Sequence, residues 1–142
     1  MSQDEAYLHV PTNPTYVIRI LMSGQIMFNA PFKPLKDSSL YRAVREYVFD
    51  DVWPGIESSR DILFSPNIAE EMLKDFVMNR NQCSDLLVHC SRGINRSPAV
   101  AIAFNDIFSL GANSDEFRMK YPQANWFVYN SLINEARRLG AG

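Results

Sequence analysis

One short segment holds most of the reactive side chains in this sequence: His89-Cys90-Ser91-Arg92-Gly93-Ile94-Asn95-Arg96-Ser97. A cysteine is a nucleophile as its thiolate, and the thiolate forms where positive charge and hydrogen-bond donors surround the sulfur. Cys90 and Arg96 bracket five residues, enough chain to curl round one tetrahedral anion. Successive backbone N–H groups in such a turn face inward as an anion nest. A helix starting behind the turn adds its unpaired N–H groups and its dipole to the same field. Gly93 permits a conformation or close approach that a Cβ would hinder. The Arg96 guanidinium can grip two oxygens at once. These residue types point to a phosphate held in the loop with the Cys90 sulfur beneath the phosphorus.

Such a loop needs a buried strand to bring it in and a helix to receive it. Leu86-Leu87-Val88-His89 is short and nearly all apolar, which predicts a strand in the buried middle of a parallel sheet. A helix is predicted from near Arg96 through Ala99, Val100, Ile102, Ala103, Phe104, Ile107 and Phe108 to Gly111, apolar nearly all round and therefore buried. Upstream, Ser65-Pro66 is a helix start, and Ile68, Met72, Leu73, Phe76 and Val77 share one face to about Arg80. Tyr16 to Met22 is rich in β-branched residues and ends at Ser23-Gly24, a strand. Tyr7, Leu8 and Val10, stopped by Pro11, suggest a short first strand. Met27 to Asp37 reads as loop, and Leu40 to Arg45 is undecided between helix and strand. Glu46 to Phe49 is a strand running into Asp50-Asp51, followed by a loop with Trp53-Pro54-Gly55. Asn113 or Ser114 caps a short helix that Pro122 stops, and a last helix runs from about Trp126 to Leu139, ending in Arg137, Arg138 and Gly140. Strands alternating with helices predict an α/β fold with a central, mostly parallel sheet flanked by helices. Ligands bind beyond the carboxyl ends of such strands, which is where Cys90 lies.

Composition bounds the rest. With 142 residues, the chain is expected to form one domain, 1–142. At 46% hydrophobic and 21% charged it has the make-up of a globular protein. Fourteen Lys and Arg against 16 Asp and Glu leave a net charge of −2, without the basic footprint of a nucleic-acid binder, so an anion site must be local. No apolar run approaches the roughly 20 residues that span a bilayer. Met1 to Val10 carries Asp4 and Glu5 and lacks a basic region before a long apolar run, so no signal peptide is expected and a cytoplasmic location is. Two cysteines are too few for a disulfide framework, and no metal-ligand spacing stands out.

Val88 to Pro98 resembles the signature loop of cysteine-dependent phosphatases, a His-Cys followed by five residues and Arg-Ser. The Arg-Ser-Pro ending and the small size resemble the dual-specificity branch of the protein tyrosine phosphatase superfamily, in particular its compact bacterial and archaeal members. The likeness is strongest from Asp85 to Phe108, weaker from Tyr47 through the Ser65 helix, and faint elsewhere. Low-molecular-weight phosphatases and related arsenate reductases carry a similar loop near the N-terminus, whereas here it lies about two-thirds along the chain.

The resemblance implies a phosphomonoesterase without cofactor or metal. Cys90 would attack phosphorus and form a cysteinyl-phosphate. Ser91, Arg92, Gly93, Ile94, Asn95 and Arg96 would hold the phosphate, with Arg96 also stabilising the transition state. Ser97 would stabilise the thiolate and His89 would support the loop. The implied substrate is a phosphorylated protein or peptide, with no nucleic acid or membrane as partner. In so short a chain a shallow pocket is expected, open to phosphotyrosine and to phosphoserine or phosphothreonine. The alternatives are a catalytically silent phosphate-binding module, or a phosphatase for a phosphoinositide, a nucleotide or an RNA 5′-phosphate.

An upstream Asp would act as general acid and then base. Asp61, 29 residues before Cys90, is nearest to the usual spacing. Asp51 and Asp50, at 39 and 40, fit the context better because they follow an apolar strand and precede a loop. Asp51 is preferred and Asp50 is second. Trp53-Pro54-Gly55 echoes the Trp-Pro-Asp of tyrosine-specific relatives, with Gly55 in place of the Asp. Cys83 reads as a structural thiol; with extended chain between, it lies on the order of 20 Å from Cys90, too far for a disulfide. Asn125 and Asn130 read as core or capping residues, or as flanks of the pocket.

Overall fold

The centre of the sheet is β1, Thr15–Leu21, every residue of which is buried. The structure, a computed structural model, describes residues 1–141. β1 is flanked by β2 (Tyr41–Val48) on one side and β3 (Asp85–His89) on the other, both parallel to it. A strand paired on both edges and covered on both faces must be apolar throughout, and the β-branched run from Val17 to Ile20 meets that demand except at Arg19.

β2 is an edge strand and alternates accordingly. Ala43 and Tyr47 are buried between exposed Arg42, Val44 and Glu46. Of the undecided stretch at Leu40–Arg45, Tyr41–Arg45 therefore joins Glu46–Val48 in one continuous strand, and Leu40 lies in the turn before it. β3 also lies at an edge, not in the middle as its apolar run predicted. Its end is buried all the same, because α4 packs on it and the backbone of Met1 lies along its outer edge, accepting from Cys90 N–H at 3.2 Å.

A second correction concerns the start of the chain. Tyr7 and Leu8 belong to a helix, α1 (Gln3–Leu8), not to a strand. Ser2 caps it in a capping box with Glu5, each side chain bonding the other's backbone N–H. Its apolar residues Tyr7 and Leu8 are exposed, and Ala6 is the residue it buries.

Five further α-helices follow, with a 3-10 turn at Arg80–Gln82 after the second of them. α2 (Ser23–Met27) is a short turn that follows β1, where only the end of the strand was expected. α3 (Pro66–Asn79) starts as predicted, with Ser65 Oγ accepting from Ile68 N–H at 3.3 Å. α4 (Arg96–Phe108) ends at a left-handed Ser109, two residues before Gly111. α5 (Ser114–Lys120) is capped by Asn113, and α6 (Trp126–Leu139) by Asn125. None of the described helices is long and apolar enough to cross a membrane.

The two faces of β1 divide the core. Tyr16, Ile18 and Ile20 point to the side covered by α3, α4 and α6, where Phe76, Phe104, Val128 and Leu132 fill the space. Phe76 meets Tyr16 and Phe104 edge to face, with ring centroids 5.1 and 5.0 Å apart. Val17 lies on the opposite face with Leu87 and Ala6 of α1, a smaller cluster. The core thus anchors β3 and α4, and the six-residue connection between them, from Cys90 to Asn95, begins with the reactive cysteine.

Candidate active site

The chain leaves β3 at His89 and enters α4 at Arg96, so the segment from Cys90 to Asn95 must turn sharply beyond the carboxyl end of the strand. It curls back on its own first side chain. Gly93 N–H donates to Cys90 Sγ at 3.2 Å, and Sγ and Ser97 Oγ are hydrogen-bonded at 3.3 Å. Gly93 has φ +72°, and a Cβ there would come within 2.5 Å of the Met1 carbonyl carbon. The reason is the segment packed behind the loop. Met1 C=O accepts from Cys90 N–H, and Gln3 N–H donates to Ser91 C=O at 3.2 Å. Glycine is needed at 93 for its conformation and for this close approach.

Arg96 is buried and its Nη1 donates to Phe49 C=O at 2.9 Å, which ties the start of α4 to the chain just beyond β2. Asn95 is the N-cap residue of α4 yet makes no capping bond; its Nδ2 instead donates to Gln123 C=O at 2.8 Å. Among the described residues, the backbone N–H groups of Arg92, Ile94, Asn95 and Arg96 find no protein acceptor. These free donors and the start of α4 lie on the segment that turns round Cys90 Sγ, and the Arg96 charge acts on the same sulfur. Arg92 is exposed.

The sulfur responds to these surroundings. Burial pushes the Cys90 thiol up, but the hydroxyl and N–H of Ser97, the charge of Arg96 and the N–H of Gly93 outweigh it and hold its pKa below the ordinary value. The neighbouring His89 is fully buried. Burial, then the charge of Arg19, lower its pKa to about 4, so at neutral pH it is an uncharged imidazole.

The three candidate aspartates have different surroundings. Asp50 is buried with both oxygens committed: Oδ1 accepts from Ser23 N–H at 3.0 Å and Oδ2 from Ile62 N–H at 2.7 Å. It ties the start of α2 to the loop before α3. Asp61 closes a local turn, accepting from Ser58 N–H at 2.8 Å. Asp51 is exposed, and its Oδ1 accepts from Asn125 Nδ2 at 3.0 Å. It lines a pocket of about 470 Å³ whose walls include Asn95 of the Cys90 loop, Trp53, Trp126 and Phe127. Of the three, Asp51 has an oxygen free to face that space.

Two residues that sequence reasoning under-weighted complete the picture. Asn125 caps α6 through Oδ1 to Val128 N–H, donates to Asp51 and to Val52 C=O, and gives its own N–H to Asn95 C=O at 2.9 Å. It thereby joins the aspartate loop to the Cys90 loop. Arg19 donates from Nε to His89 Nε2 at 2.9 Å. The signal for it was present: a single charge inside an apolar strand has to meet a polar partner. Cys83 lies half-buried before β3, and both cysteines are unpaired. The described residues contain no cluster of His, Cys, Asp and Glu that could hold a metal ion.

Solved structures similar to this chain include the following two. Tk-PTP in its active form matches with a TM-score of 0.51 and 18% identity, over 94% of this chain and 86% of its own. A human tyrosine phosphatase-like serine/threonine/tyrosine-interacting protein matches with a TM-score of 0.44 and 16% identity, over 89% and 76% respectively. No family model and no curated protein matches the sequence. The likeness to Tk-PTP shows that the chain shares the α/β fold of that protein.

Proposed function

We propose that this chain is a phosphomonoesterase of the protein-tyrosine or dual-specificity type, working through a cysteinyl-phosphate. The observation that carries the reading is the Cys90 sulfur, hydrogen-bonded to Gly93 N–H and Ser97 Oγ inside a loop of free N–H groups that buried Arg96 closes. The fold shared with Tk-PTP agrees with it.

In the first step the Cys90 thiolate uses an electron pair to form an S–P bond. The P–O bond to the leaving group breaks, and Asp51 gives its proton to that oxygen. The loop N–H groups and Arg96 hold the three equatorial oxygens as charge shifts among them. In the second step the Asp51 carboxylate takes a proton from water, the water oxygen bonds to phosphorus, and the S–P bond breaks. Cys90 leaves as thiolate, stabilised by Ser97, and inorganic phosphate departs. Asn125, an amide donor on Asp51 Oδ1, holds the Asp51 side chain in place for both steps.

Ser91 to Asn95 bind the phosphate through the backbone in this scheme, and Asp50 supports it by fixing the aspartate loop. The aromatic walls at Trp53, Trp126 and Phe127 suit a phosphorylated side chain on a protein or peptide, entering from the surface. A reducing cytoplasm is the compartment in which an unpaired reactive thiol persists.

Hydrolysis of p-nitrophenyl phosphate tests the proposal. Turnover that vanadate inhibits and that Cys90→Ser abolishes is expected. Wild-type protein that is folded and inactive toward p-nitrophenyl phosphate and phosphopeptides would overturn it.

A further inference from the structure

Arg19 is a buried cation in the middle strand of the sheet, 9% exposed, and no carboxylate forms an ion pair with it among the described residues. Isolated buried charge is costly, so such a residue persists when its donors are used. Its donors go to two places. Nε donates to His89 Nε2 at 2.9 Å, and Nη2 donates to the Lys33 carbonyl at 2.6 Å. The pairing follows from the strand register, in which Arg19 of β1 lies directly opposite His89 of β3. The Phe32 ring closes the other side, 5.4 Å from the guanidinium carbon and 4.7 Å from the imidazole centroid.

The consequence is a protonation pattern. A guanidinium has donors and no acceptor, so the His89 nitrogen it meets must present a lone pair. Nε2 is therefore unprotonated, and the proton of the neutral ring sits on Nδ1. That nitrogen is buried, and the backbone of Cys90 is the polar group beside it, although no hydrogen bond of normal geometry closes in this structure.

We propose that Arg19 is a positioning residue for the Cys90 chemistry, fixing His89 as the neutral Nδ1–H tautomer turned toward the Cys90 backbone and so holding the root of the loop. This rests on the phosphatase reading only for its effect on turnover; the tautomer itself needs no activity. The charged groups that surround the pair are Glu46 on β2, which favours the Arg19 charge, and the Met1 amino group, which bonds Val88 C=O. Among the described residues, no Asp or Glu side chain makes a hydrogen bond to His89.

Long-range nitrogen–proton NMR correlation on the intact wild-type protein at pH 7 reads the tautomer directly. A neutral His89 ring with its proton on Nδ1 is expected; a proton on Nε2, or a cationic ring, overturns the proposal without any variant. Arg19→Gln keeps one donor for Nε2 without the charge, and Arg19→Met keeps the stem without a donor. Circular dichroism and thermal melting establish that each is folded. In Arg19→Met the tautomer should no longer be fixed, and the pH midpoint of Cys90 alkylation by iodoacetamide should rise. With p-nitrophenyl phosphate, kcat should fall on the order of tenfold with KM nearly unchanged, as small misplacements of reacting groups do. Arg19→Gln should restore the tautomer and part of kcat. A folded Arg19→Met with wild-type tautomer and wild-type alkylation profile would refute the proposal. An inactive wild type with the Nδ1–H tautomer would instead count against the phosphatase reading alone.

Discussion

The Asn125 amide donates to the Asp51 carboxylate at 3.0 Å across 74 residues of sequence, while its backbone N–H bonds the Asn95 carbonyl of the Cys90 loop. One residue at the start of α6 thus sets the aspartate loop against the Cys90 loop. Asn125→Ser separates this task from capping, because serine caps a helix about as well as asparagine but is too short to span both contacts. Melting temperature should stay close to wild type. The rate with alkyl phosphates, whose leaving oxygen needs a proton, should fall roughly tenfold or more, and that with p-nitrophenyl phosphate should fall less. Equal losses on both substrates would separate Asn125 from Asp51.

Asp50 and Asp51 are adjacent and should fail in opposite ways. Asp51 is exposed and bonded on one oxygen, so Asp51→Asn should leave stability within about 0.5 kcal/mol of wild type. It should still cut kcat by a factor on the order of 10² to 10⁴, the range for a lost general acid or base. Asp50 is buried and accepts two backbone N–H groups, so Asp50→Ala should cost about 2 kcal/mol or more by leaving those donors unpaired. Urea unfolding and steady-state kinetics on the same two variants check the pair. A stable but inactive Asp50→Ala would reverse the assignment of the acid.

Which features were legible follows from how far apart the interacting residues are. Ser65-Pro66, the face from Ile68 to Phe76, and Gly140 are local signals, and α3 and α6 start and end where they predict. The Cys90 loop was legible for the same reason, since cysteine, glycine and arginine act on one another within seven residues. Tyr7, Leu8 and Val10, three apolar residues before Pro11, suggest a strand, whereas the capping box between Ser2 and Glu5 decides for a helix. The apolar run at Leu86–Val88 speaks of burial but not of what buries it, so an edge strand under α4 looked like a central one. Asn125 with Asp51, and Arg19 with His89, are pairs made by register and helix docking, which no spacing rule contains.

Gly93 and Gly111 both have positive φ, +72° and +96°, but differ in what surrounds them. An alanine at 111 meets nothing within 4 Å, so Gly111→Ala should cost only backbone strain, about 1–3 kcal/mol, and leave kcat/KM unchanged. An alanine at 93 has the same strain and also collides with the backbone of Met1 and Ser2, which has no side-chain end to move aside. Gly93→Ala should therefore displace the Gly93 N–H from Cys90 Sγ and raise the midpoint of the iodoacetamide pH profile. Equal behaviour of the two variants in that assay would mean the N-terminal segment does not buttress the loop.

His89 gives the fold a pH dependence of definite sign. Its pKa is lowered from 6.5 to about 4 by burial and then by the Arg19 charge, so between those values the unfolded chain binds a proton that the folded protein refuses. Stability is complete above pH 6.5 and is lost as pH falls toward 4. From pH 7 to pH 4.5 this single group should remove roughly 2 kcal/mol. His89→Asn lacks the titration and should lose that much less over the same range, even though it is less stable at pH 7. Urea unfolding at the two pH values, for both proteins, measures the difference. Identical losses would mean that His89 titrates alike in the folded and unfolded states, and that Arg19 does not hold it neutral.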